Sequence, residues 1–212
     1  MICTGRQFKI MRSSKVFTLI ELIVVIAVLL FVVGSAVGIF ISIVQHQRII
    51  LSEQELLNQA SYVLERMSKA LRMAGKDSNG ECLIDGSGVP YPGYNYLLTR
   101  PVGGFYAGIK FINQSDDEAC QEFYLDNTGT DAVLKEIKNN GAGVAITSDK
   151  FMINFIRFGI NGRNGSIISG SATDDNGIQP RVTIYLEIKT RGDNQPAKKI
   201  QTTISQRNLN VQ

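Results

Sequence analysis

The chain has 212 residues, 44% of them hydrophobic, with 22 Lys and Arg against 19 Asp and Glu. That length accommodates one ordinary domain plus an additional element. The basic excess sits in residues 1–16, where Arg6, Lys9, Arg12 and Lys15 stand with no acid, and the remainder is close to balanced. An extended basic surface for nucleic acid is therefore not indicated.

Directly after this basic leader comes an apolar run. Residues 22–44 contain no charged side chain across 23 positions, and about 20 suffice for a helix to cross a bilayer. A core helix of a soluble protein is the competing reading, but such helices are shorter and carry a polar face. A positive flank before an apolar helix favours retention of that flank in the cytoplasm. This predicts a single-pass protein of the inner (cytoplasmic) membrane with its C-terminal region outside.

The junction reads SSKV followed by FTLIELIVVIAVLLFVVGSAVGIF, with Glu21 at the fifth position counted from Phe17. A carboxylate in a membrane helix costs about 2.5–3.5 kcal/mol at the bilayer centre on insertion scales, and less near the interface. It calls for a partner or a role. This segment resembles the cleavage and methylation segment of type IV prepilins and type II secretion pseudopilins. The resemblance implies cutting between Val16 and Phe17 by a prepilin peptidase, N-methylation of Phe17, and use of Glu21 in assembly. The chain departs from the pattern in carrying Val16 where the family has Gly. Met11 offers a second initiation point, leaving the shorter leader MRSSKV. Gly34-Ser35-Ala36 also resembles a secretory-signal cleavage site, although Glu21 interrupts a stretch that signals keep uncharged.

Gly34 and Gly38 form a GxxxG pattern within the apolar run, a spacing that lets membrane helices approach closely. Gly38 is also a candidate for local bending. Further on, Leu56, Ala60, Val63, Met67, Ala70 and Ala74 recur in steps of four and three, with Leu57, Leu64 and Leu71 widening the stripe. No proline interrupts residues 17–74, and Gly75 is a natural stop. The expected organisation is a leader (1–16), a transmembrane half-helix (17–44), an amphipathic outer half-helix (45–75) and a β-rich domain (76–212). His46, the one histidine, falls just past the apolar run as an interfacial helix residue.

In the β-rich region, Val182, Ile184, Leu186 and Ile188 alternate with polar residues, and Phe105, Ala107, Ile109 and Phe111 alternate similarly. Residues 121–125, 132–138, 151–158 and 198–205 are further candidate strands, with turns such as Asn161-Gly162 and Asn176-Gly177 between them. A helix followed by strands predicts an α+β fold in which the outer half of the helix packs on an antiparallel sheet. The stated topology puts Cys3 in the cytoplasm and exports Cys82 and Cys120. Export permits a Cys82–Cys120 disulfide, and two separate thiols are the alternative.

Residues 64–75 and the ending IQTTISQRN resemble PilW-type minor pilins and J-type pseudopilins, through Arg72, Ala74, Gly75, Arg207 and Asn208. That resemblance implies a place at or near a filament tip. No enzymatic motif, CxxC or metal-ligand spacing is present in the sequence, and no cofactor is expected. Asp116-Asp117-Glu118 and Asp174-Asp175-Asn176-Gly177 carry oxygens of the kind calcium takes, but polar turns are the plainer reading. Arg191-Gly192-Asp193 is read as a turn. The expected function is a structural subunit, of minor type, in a type IV pilus or secretion pseudopilus. Its partners would be other pilin subunits, the peptidase and an inner-membrane assembly platform. The alternative is a membrane-tethered binding module, an adhesin or DNA-uptake component, that never polymerises.

Overall fold

The computed structural model describes residues 18–129, 131–162, 179–191 and 197–207. Val16, Phe17, Cys3, Asn208 and the 174–177 turn lie outside the described residues. The chain divides into two compact units, Met1–Ile50 and Leu51–Gln212, and one helix, α1 (Leu19–Arg72), contributes to both. The strands are β1 (Ala74–Gly75), β2 (Leu97–Val102), β3 (Phe105–Asn113), β4 (Ala119–Asp126), β5 (Val133–Lys138), β6 (Val144–Ala145), β7 (Phe151–Asn161), β8 (Arg181–Thr190) and β9 (Ala197–Ser205). The architecture is α+β, with the second half of α1 packed against an antiparallel sheet.

The sheet runs β6-β5-β4-β3-β7-β8-β9, with β1 and β2 also paired to β3. Residues 108–110 of β3 pair with both β2 and β4, so those two strands occupy opposite edges of β3. Between β3 and β7 a single register pair, Tyr106 with Phe158, joins the two halves of the sheet. β7, β8 and β9 form a long meander, with one register shift between Ile153 and Phe155.

The core of the second unit follows from two periodicities. On α1, Leu56, Ala60, Val63, Met67, Ala70 and Leu71 are buried. On β8, the alternation buries Val182, Ile184, Leu186 and Ile188. Burying each such large side chain contributes about 1.5–3 kcal/mol. The predicted stripe needs one correction, because Leu57 is 46% exposed. It lies one residue beyond Leu56, a 100° step that carries it off the buried face. Leu64 sits at the margin, half-buried against the core.

A second correction concerns the end of the helix. α1 stops at Arg72, and Ala74 and Gly75 pair with Asn113 and Ile112 of β3. The amide of Gln114 donates to the Met73 carbonyl, so the sheet takes up the chain before another helical turn can form. A Cβ at Gly75 would approach the Gln114 side chain to 2.8 Å, a contact that this exposed, flexible side chain can relieve by turning away.

Two further features escaped the pattern. β2 was not anticipated; it pairs with β3 through the turn Gly103-Gly104, both with positive φ, the geometry a two-residue hairpin requires. Beneath α1, Arg66 donates through Nε and Nη2 to Glu136 Oε2 at 2.9 and 2.6 Å. Gln121 donates to the other oxygen of Glu136, and Asn113 Nδ2 donates to Gln121 Oε1 at 2.8 Å. This chain of polar groups, buried at Asn113, Gln121 and Glu136 and open to solvent at Arg66, pins helix to strand.

Candidate functional site

The start of α1 is built by local chemistry. The Thr18 hydroxyl accepts from the Glu21 amide at 3.4 Å, and the Thr18 carbonyl accepts from the amides of Glu21 and Leu22 at 3.1 and 3.3 Å. Thr18 is thus the N-cap and Glu21 the third helical residue, the T-x-x-E spacing of a capping box. A carboxylate in the first turn also meets the positive end of the helix dipole. Glu21 is exposed and has no ion pair among the described residues.

From Leu22 onward the helix presents apolar side chains to its surroundings. Leu22 is 56% exposed and Phe31 78%. The most apolar 18-residue window of α1 has none of its residues buried. A core helix of a soluble protein would be covered; this one has the length and composition to cross a membrane, and exposed apolar surface on this scale requires an apolar neighbour. Of the two hydroxyls within the run, on Ser35 and Ser42, that of Ser35 donates to the Phe31 carbonyl at 2.6 Å, so it needs no water. A Cβ at Gly34 or Gly38 would meet nothing within 4 Å. Among the described residues, no contact requires glycine at either position. His46 is exposed on the helix.

The other end of α1 is clamped by three separate segments, around residues 96, 114 and 206–207. The buried Tyr96 hydroxyl donates to the Leu71 carbonyl at 2.6 Å. The Arg207 amide donates to the Arg72 carbonyl at 2.9 Å, the Gln114 amide to Met73 at 3.0 Å, and Gln206 Nε2 to Ala74 at 2.7 Å. The carbonyls of residues 71–74, at and just past the helix end, are thereby satisfied. Arg72 and Arg207, singled out in the sequence, meet through their backbones. Burial pushes the Tyr96 phenol far above its ordinary value.

Between β1 and β2 lies a loop organised by two aspartates. The buried Asp77 carboxylate accepts four backbone amides: Gly80 and Glu81 on Oδ1, Cys82 and Leu83 on Oδ2. Asp85 accepts from the amides of Val89 and Ser87 and from the Tyr91 hydroxyl, which hold its carboxyl below the usual range. A disulfide joins Cys82 to Cys120 with the Cα atoms 5.5 Å apart, tying this loop to β4. Neither aspartate was singled out from sequence, although Asp85-Gly86-Ser87-Gly88 is a recognisable turn composition.

Among the described residues, no three His, Cys, Asp or Glu side chains group as metal ligands. Asp116 of the acidic turn pairs with Lys138. Arg191 pairs with Asp131 at 2.8 Å; the two residues after it, Gly192 and Asp193, lie outside the described set. No family model, curated protein or solved structure matches the chain.

Proposed function

We propose that this protein is a membrane-anchored subunit, of minor type, of a type IV pilus or type II secretion pseudopilus. The observation that supports it is a single helix that opens with Thr18-Leu19-Ile20-Glu21, continues through an unburied apolar run of membrane length, and ends packed on an antiparallel sheet. In this reading the peptidase cuts between Val16 and Phe17, and the new Phe17 amine is cationic. Glu21 then pairs with the Phe17 amine of a neighbouring subunit. Two unit charges about 4 Å apart attract by about 4 kcal/mol at an effective dielectric near 20, enough to set the axial register between subunits. Gly34 and Gly38 are the positions at which neighbouring helices approach. The assembly platform of the inner membrane and other pilin subunits are the partners.

The capping geometry at Thr18 favours a second reading. There Glu21 serves only the helix start, and the protein is a tethered binding module that does not polymerise.

Two substitutions separate these roles. Glu21→Gln retains a side chain able to close the capping box but removes the charge, whereas Glu21→Ala removes both. Charge pairing predicts that both variants insert in membranes yet fail to enter sheared filaments or pseudopili. Assembly retained by Glu21→Gln would remove the pairing role. Mass spectrometry of the membrane-extracted amino terminus completes the test: N-methylated Phe17 is expected, and an intact leader on all molecules favours the tether.

A further inference from the structure

At the C-terminal end of α1 lies an open groove of about 890 Å³, lined by Lys69, Arg72 and Arg207, with Glu65 one turn before Lys69 and with Thr203 and Ser205 of β9. Basic residues at such a place ordinarily serve the open carbonyls and the negative end of the helix dipole. Here the carbonyls of residues 71–74 are already taken by Tyr96, Arg207, Gln114 and Gln206.

The three cations also lack ion pairs among the described residues, and Glu65 pairs with none of them. Three other bases on or against the outer half of the helix are matched: Arg66 with Glu136, Lys150 with Glu55, Lys198 with Glu53. The Arg207-to-Arg72 backbone bond roots two like-charged side chains at neighbouring points of one groove, a setting that favours an entering anion.

We propose that this groove docks an acidic peptide segment of a partner protein, its carboxylates received by Arg72, Arg207 and Lys69. Arginine forks match carboxylates two bonds at a time, and the hydroxyls of Thr203 and Ser205 supply further donors. A nucleic-acid strand fits less well. The unit Leu51–Gln212 holds 17 basic against 18 acidic residues, and a phosphate backbone needs an extended track of cations rather than one pocket. The inference uses no residue of the apolar half-helix, so its failure would leave the role given to Glu21 untouched.

The test uses the full chain in detergent micelles at physiological ionic strength. The probe is a fluorescein-labelled ten-residue aspartate peptide followed by anisotropy. Arg72→Gln combined with Arg207→Gln is expected to weaken binding about tenfold or more, as loss of charge-assisted hydrogen bonds would. Lys69→Glu, at an exposed side chain with no structural partner, tests the same groove should the double variant fold poorly. Lys110→Gln, at a separate cavity beside β2, is expected to bind like the parent. Absence of saturable binding, an equal loss in Lys110→Gln, or binding unaffected by the groove variants overturns the proposal. So does tighter, groove-dependent binding of a ten-nucleotide single strand.

Discussion

Tyr96 carries more of the fold than its place before β2 suggests. Its ring is fully buried against Phe111, 6.3 Å between centroids, and its hydroxyl occupies the Leu71 carbonyl. Tyr96→Phe leaves that carbonyl unsatisfied in the core and is expected to cost about 1–3 kcal/mol. A pH effect accompanies it. The folded phenol titrates above the unfolded one, so its contribution is complete below the unfolded value near 10 and is lost as pH rises beyond it. Denaturant unfolding at about pH 8 and about pH 10.5 should show a smaller alkaline loss in Tyr96→Phe than in the parent. Equal losses in the two proteins would remove Tyr96 as the source. At this scale the sequence is unevenly legible. Glu21 stands out because a lone acid contradicts its apolar surroundings. Asp77 and Gln206 do not, because their importance comes from backbone groups brought to them by distant segments.

Elements were legible where one periodicity ran long enough. The buried face of α1 and the strands β3, β4, β5, β7, β8 and β9 follow from spacings of 3.6 and 2. β2 was not legible, since Pro101 and the exposed stretch at residues 100–102 break its alternation. The end of α1 was misjudged by two residues because pairing with β3, a tertiary event, overrides local helix preference. The loop between β1 and β2 has no periodicity at all. It is held by Asp77, Asp85 and the disulfide across 38 residues. In the chain-entropy account, closing a loop of that size contributes about 4 kcal/mol. Cys82→Ser with Cys120→Ser, or reduction of the parent, should lower stability by up to that amount. Amide exchange should rise first at Gly80, Glu81, Cys82 and Leu83, whose amides are fixed on Asp77. Unchanged exchange there after reduction would mean that the aspartate alone holds the loop.

The two units of the chain are made for different solvents. The average composition conceals this: 44% hydrophobic content is ordinary for a folded domain, yet the apolar residues of Leu19–Ile50 are exposed while those of the second unit form a closed core. Every helical residue of that core lies at Leu56 or beyond, and its polar pin begins at Arg66. Nothing in the core therefore depends on the first fifty residues. A fragment spanning residues 51–212 should fold with the parent's disulfide and a comparable unfolding midpoint. In detergent phase partitioning the fragment should remain in the aqueous phase, and the full chain should enter the detergent phase. Removal of the apolar run changes the solvent the protein requires, because about 20 apolar residues suffice to hold a helix in a bilayer. A full chain that partitions into water would show that its apolar face is covered by protein, by a second copy or by refolding of the run onto the sheet. The membrane assignment, and with it the role given to Glu21, would then fall together.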